Sequence, residues 1–192
     1  MKILKKINLT FIASVFLCVA CDDNNIVPTA PVVTNNTVAS TNQVEIINGI
    51  PVDIGGTHKP YVLGSTAAKY GYYLYRPSGY STASAKYPLL IFLHGQGERG
   101  DGTNSLTVLN KVLNTGIPKL IKDKKWNPTN PMLVVSPQYF DATGVPTNWG
   151  GGNPEVLKEF IKYMIDHYRV DPRRIYLTGL SAGGNGIWDY LS

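Results

Sequence analysis

Arg174-Ile-Tyr-Leu-Thr-Gly-Leu-Ser-Ala-Gly183 decides how the rest of this chain is read. Ile175, Tyr176 and Leu177 favour a strand, and the pentapeptide Gly179-Leu-Ser-Ala-Gly183 follows directly. Its glycines keep the space on either side of Ser181 free of side chains, so a strained turn can hold the Oγ up toward solvent. A serine held in that way can attack an acyl carbon. Residues 182–191 then begin a helix, and the N–H of Ala182 at its start is a donor reinforced by the helix dipole.

Working outward, Tyr87-Pro-Leu-Leu-Ile-Phe-Leu93 is a continuous apolar run, as expected of a parallel strand covered on both faces. Met132-Leu-Val-Val-Ser136 reads the same way. Helical periodicity runs over 106–122 with an interruption at 116–118. Residues 154–168 form an amphipathic helix with Asn153 as N-cap and Pro154 in the first helical position. Its buried face is Val156, Leu157, Phe160, Met164 and Ile165. Nearer the N-terminus, 44–50 and 70–75 are expected as strands of an antiparallel meander, with Pro51, Gly55 and Gly56 as turn residues. Strands alternating with helices give an α/β domain over 44–192, built on a mostly parallel sheet.

A second chemical element follows the first apolar strand: His94-Gly-Gln-Gly-Glu-Arg-Gly100. A tetrahedral acyl intermediate needs preorganised donors, each worth about 3 to 4 kcal/mol. The N–H of Gln96, flanked by glycines, is the natural companion to that of Ala182. Glu98 and Arg99 read as a loop-fixing pair, with a direct role toward substrate in the pocket as the alternative. Trp149, in Asn-Trp-Gly-Gly-Gly, is a candidate for pocket lining, and Trp188 reads as core. Of the three histidines, His94 ends a strand and begins the glycine-rich turn, His167 reads as a surface or capping residue and His58 as a loop residue.

Together, LHGQGERG and RIYLTGLSAGGNGIWD resemble the α/β-hydrolase superfamily. More narrowly they resemble secreted esterases and predicted peptidases related to feruloyl and acetyl esterases and to prolyl oligopeptidases. The resemblance runs from about residue 70 to 191. It implies Ser181 as nucleophile, the N–H groups of Gln96 and Ala182 as oxyanion hole, no cofactor and no metal. It implies an ester substrate, plausibly an acylated carbohydrate, with a peptide as the alternative. It also implies an acid and then a histidine after the serine. Only Asp189 follows, inside the nucleophile's own helix, and no histidine does. The chain is therefore expected to be the N-terminal part of such a domain, with C-terminal strands missing. A non-catalytic surface lipoprotein or an inactive fragment is the reading from a different class.

The N-terminus carries a different message. Lys2, Lys5 and Lys6 precede an apolar run that ends Leu17-Cys-Val-Ala-Cys21. This resembles a bacterial lipoprotein signal over 1–20, with Cys21 as the lipidated first residue, followed by a flexible tether over 21–43. The implied location is the outer membrane or cell surface, reached through the lipid anchor. Both cysteines lie at this junction, so the domain is expected to have no disulfide, no thiol nucleophile and no Cys/His metal cluster. The formal charge of +5 shrinks once the three signal lysines are set aside, leaving fifteen cations against thirteen acids. Nothing in that balance calls for a nucleic-acid partner.

Overall fold

In the computed structural model, the described residues are 46–47, 50–51, 53–81, 83–128, 130–140, 149 and 154–192. The signal segment, Cys21, the tether, Asn153 and the glycines at 150–152 lie outside them. Two short strands, β1 (Ile46–Ile47) and β2 (Ile50–Pro51), pair with each other as an antiparallel hairpin. The main sheet begins with β3 (Thr57–Tyr61) and β4 (Gly71–Arg76), followed by β5 (Tyr87–Leu93). Helices α1 (Leu106–Leu109) and α2 (Gly116–Lys122) lead to β6 (Leu133–Gln138). Helix α3 (Glu155–His167), strand β7 (Val170–Gly179) and helix α4 (Ala182–Leu191) complete the order.

The five strands lie side by side as β3-β4-β6-β5-β7. Strand β5 is parallel to both β6 and β7, whereas β4 runs antiparallel to β6 and to β3. The α/β class holds, but the expected mostly parallel sheet is evenly mixed among the described residues. The strand preceding β4 is also not 44–50. It is Thr57–Tyr61, whose Lys59, Pro60 and partly exposed residues give no apolar alternation. Such a sequence suits an edge strand, where a proline removes no needed ladder bond and a lysine discourages further pairing.

The sheet is covered on both sides. Tyr72 and Leu74 of β4, Leu89, Ile91 and Leu93 of β5, and Leu133 and Val135 of β6 share one core with Leu157, Phe160 and Met164 of α3. The alternate residues Tyr73, Tyr75 and Val134 pack toward Leu109, Val112 and Ile121 on the opposite side. This period-two division of apolar side chains explains the continuous hydrophobic runs of β5 and β6. Burying a side chain the size of Phe160 or Met164 contributes about 1.5 to 3 kcal/mol. Val156 and Ile165 sit at the margin of that face, and Ile161 takes the buried place instead.

The break within 106–122 comes earlier than the proline suggests. Thr115 is extended and Gly116 has φ 58°, where an added Cβ would lie 2.1 Å from the Phe92 ring. Pro118 then falls in the first turn of α2, where a missing N–H costs nothing. Strand β7 has β5 on one side, and no strand pairs with its other edge among the described residues. Tyr176 and Leu180, at and just after β7, and Trp188 and Leu191 of α4 are exposed among the described residues. Trp188 is therefore not core as expected. Helix α4 approaches the sheet through Ala182, Gly183 and Gly186, a face of minimal side chains, and the indole lies off that face at 64% exposure.

Candidate active site

Ser181 stands between the end of β7 and the start of α4 with φ 51° and ψ −114°. A non-glycine residue in that region costs about 1 to 3 kcal/mol unless its surroundings impose the conformation. Here the surroundings do so through backbone contact. A Cβ on Gly179 would lie 2.6 Å from the Gly183 carbonyl carbon, and a Cβ on Gly183 would lie 2.0 Å from the Leu93 oxygen. Both positions must be glycine for the helix to start this close to the strand ends. Leu180 N–H donates to Leu93 O at 3.0 Å and Gly183 N–H to Leu180 O at 2.8 Å. Gly184 and Asn185 N–H both donate to Ser181 O. Ser181 itself is exposed, as the sequence implied.

Among the described residues nothing accepts from Ala182 N–H, the first donor of α4. An orphan donor at a helix N-terminus is ready to receive an anionic oxygen. The turn after β5 lies against the same place. The position a Gly95 Cβ would take is 3.6 Å from Leu180 O and 3.7 Å from Ser181 Cβ. Gln96 follows directly, at the start of the 3-10 turn Gln96–Glu98, and is exposed. The structure thus brings Ser181, Ala182 and the Gly95-Gln96 turn together.

His94 supports this turn and does not face the serine as a base. It is 1% exposed. Its Nε2 accepts from Tyr139 N–H at 3.0 Å, so the proton sits on Nδ1, 2.6 Å from Gly95 O. Burial pushes its pKa down to about 4, against a smaller opposing effect of the Gly95 carbonyl. Both ring nitrogens are spent and the ring is neutral. His58 lies on β3, at the far edge of the sheet from β7, and not in a loop. Burial also holds it at about 4, and its ring packs on Tyr73. His167, exposed at the end of α3, holds Tyr163 O through Nδ1 and stacks on the Tyr163 ring. Among the described residues no hydrogen bond joins any of the three to Ser181.

Trp149 is a strut, not a pocket wall. It is 4% exposed, its Nε1–H donates to His94 O at 2.7 Å, and its ring packs edge-on against His94 and Tyr70. A Cβ on Gly186 of α4 would lie 2.2 Å from Trp149 Cβ, so the indole also sets how α4 docks. Glu98 and Arg99 do not pair, since no ion pair joins them among the described residues. Glu98 is 9% exposed and turns its Oε2 back to 3.3 Å from the Gly95 Cβ position. Arg99 Nη1 is buried without a hydrogen-bond partner among the described residues. Sequence reasoning passed over Gln138, at the end of β6. Its Nε2 donates to Glu98 O at 2.9 Å and to Val108 O at 2.7 Å. The available signal was an amide closing a strand that opens on the apolar run Leu133 to Val135.

No family model and no curated protein matches this chain. Among solved structures, a thermostable esterase is 25% identical, with a TM-score of 0.44 and coverage of 73% of this chain and 38% of its own. A CE1 ferulic acid esterase from the anaerobic fungus Anaeromyces mucronatus is 20% identical, with a TM-score of 0.40 and coverage of 74% and 55%. An acetyl xylan esterase from Aspergillus awamori is 16% identical, with a TM-score of 0.43 and coverage of 70% and 46%. The chain is thus similar over roughly seven-tenths of its length to solved esterases, and spans between 38% and 55% of theirs.

Proposed function

We propose that Ser181 is the nucleophile of an α/β-hydrolase acting on carboxylic esters through an acyl-enzyme. The observation that carries this reading is the Ser181 backbone at φ 51°, ψ −114°, held between two glycines that have no room for a Cβ. In this reading Oγ attacks the ester carbonyl carbon while a base takes its proton. The carbonyl oxygen becomes an oxyanion that accepts from the N–H groups of Gln96 and Ala182. Collapse of the intermediate expels the alcohol, which takes up a proton, and water then releases the acid from Ser181. Backbone donors fixed in place before the reaction need no reorganisation as the oxyanion forms, which makes this stabilisation larger than water could provide. The base in this reading is none of the three histidines: His58 lies on the far edge strand, both ring nitrogens of His94 are bonded, and His167 Nδ1 is bonded to Tyr163 O.

The motif resemblance supports acylated carbohydrates as the substrate class. The N-terminal pattern ending in Cys21 supports an exported, lipid-anchored protein. For the protein expressed from its whole reading frame, a fluorophosphonate probe is expected to label Ser181, and Ser181→Ala to abolish labelling. Unchanged labelling of the alanine variant would remove Ser181 from the reaction. Short-chain aryl esters are expected to turn over and peptide anilides not. Cys21→Ala is expected to abolish incorporation of labelled palmitate.

A further inference from the structure

We infer that Gln138 is a positioning residue for the oxyanion turn, its carboxamide fixing where the Gln96 N–H points. This rests on the reading of Ser181 as nucleophile. Gln138 closes β6 and is 6% exposed. Its Nε2 gives one bond to the carbonyl of Glu98, the last residue of the 3-10 turn, and another to Val108 O in α1. One neutral nitrogen with two protons serves two carbonyls from separate segments. A lysine could reach them only by burying a charge.

The amide is held flat by a glycine. A Cβ on Gly100 would lie 2.9 Å from Gln138 Oε1 and 3.1 Å from its Cδ. This accounts for the last glycine of HGQGERG, which the turn geometry alone does not require. The next residue of the chain adds a second grip, because Tyr139 N–H donates to His94 Nε2 and Tyr139 O accepts from Gly100 N–H at 2.8 Å. The end of β6 therefore clamps the His94–Gly100 segment on both sides of its tip.

Between the clamps the tip has little packing of its own. Gln96 and Gly97 are exposed, and a Cβ on Gly97 would meet nothing within 4 Å. The direction of the Gln96 N–H is accordingly inherited from the ends of the segment. An oxyanion donor acts on the transition state, so a clamp that aims it should govern kcat and leave KM alone.

The test is Gln138→Met, with Gly100→Ala as the partner variant, in the protein expressed from its whole reading frame. On a short-chain aryl ester we expect kcat to fall about 10- to 100-fold with KM within about twofold. Gln138→Glu should lose more at neutral pH, because it sets carboxylate oxygen against two carbonyls. It should recover relative to wild type as pH falls, because the protonated acid restores one donor. A Gln138→Met variant with wild-type kcat, or one that changes KM alone, overturns the inference. Should the wild-type protein fail to label with fluorophosphonate, it is the Ser181 reading that fails. Amide exchange then decides the clamp, with faster exchange at Gln96 and Gly97 in Gln138→Met supporting it and unchanged exchange overturning it.

Discussion

Gly183→Ala tests the elbow at its tightest point. The added carbon would sit 2.0 Å from Leu93 O, 2.5 Å from Leu93 C and 2.9 Å from His94 O, all backbone atoms at the end of β5. A relaxed carbon–oxygen contact is about 3.3 Å, so the start of α4 must retreat by about 1.3 Å. A misplacement of about 1 Å between reacting groups costs about a hundredfold in rate. Overpacking costs about 1 to 3 kcal/mol, offset by up to about 1 kcal/mol of helix propensity gained over glycine. With the full propensity gain subtracted, the net loss of about 0 to 2 kcal/mol should lower Tm by up to about 8 °C. Gly184→Ala is the matched control, because a Cβ there meets nothing within 4 Å. It should keep full activity and gain up to about 1 kcal/mol. Hydrolysis of an aryl ester and thermal melts of both variants settle the matter. Equal damage at 183 and 184, or none at 183, would refute the steric account.

Ser181→Gly should be more stable than Ser181→Ala by about 1 kcal/mol, because glycine alone relaxes the strain at φ 51°; equal urea midpoints for the two variants would contradict the strain. Stability should fall as pH drops from 6.5 toward 4, since the unfolded chain protonates at His94 while the folded ring, held at about 4, stays neutral. The slope is about 1.4 kcal/mol per pH unit for this one group, and His94→Gln should lose that share of it in urea titrations at several pH values. Trp149→Phe deletes the donor to His94 O and should cost about 1 to 3 kcal/mol. A midpoint unchanged from wild type would show that the carbonyl finds another partner.

The elbow was legible because its constraint is local. Gly179, Ser181 and Gly183 are three residues of one five-residue motif, and the sterics that demand glycine act within that motif and against one strand end. Strands β5 and β6 were legible because both faces are buried, so Tyr87–Leu93 and the first half of β6, Leu133 to Val135, are continuous apolar runs. Strand β3 was not, because an edge strand with Lys59 and Pro60 is shaped by what it must avoid pairing with. Trp188 misled because aromatic size suggests burial, whereas glycines and an alanine fix which side of α4 meets the sheet. Gln138 was invisible for a different reason. Its partners, Glu98, Gly100 and Val108, come from distant stretches, and only the sheet order brings them to the end of β6.

The contact between Gly183 and the Leu93 carbonyl also bears on how the protein folds. It joins α4 to a strand laid down before α1, α2, β6 and α3. Parallel strands cannot close through a tight hairpin, so β7 reaches β5 only after a long crossover has been ordered. Such pairings form slowly because loop entropy is spent before any contact returns it. A partly folded chain in which β7 is undocked has no strained serine and no paired donors. The reactive geometry therefore arrives with the β5–β7 pairing, and partly folded chains in which β7 is undocked carry an inert Ser181.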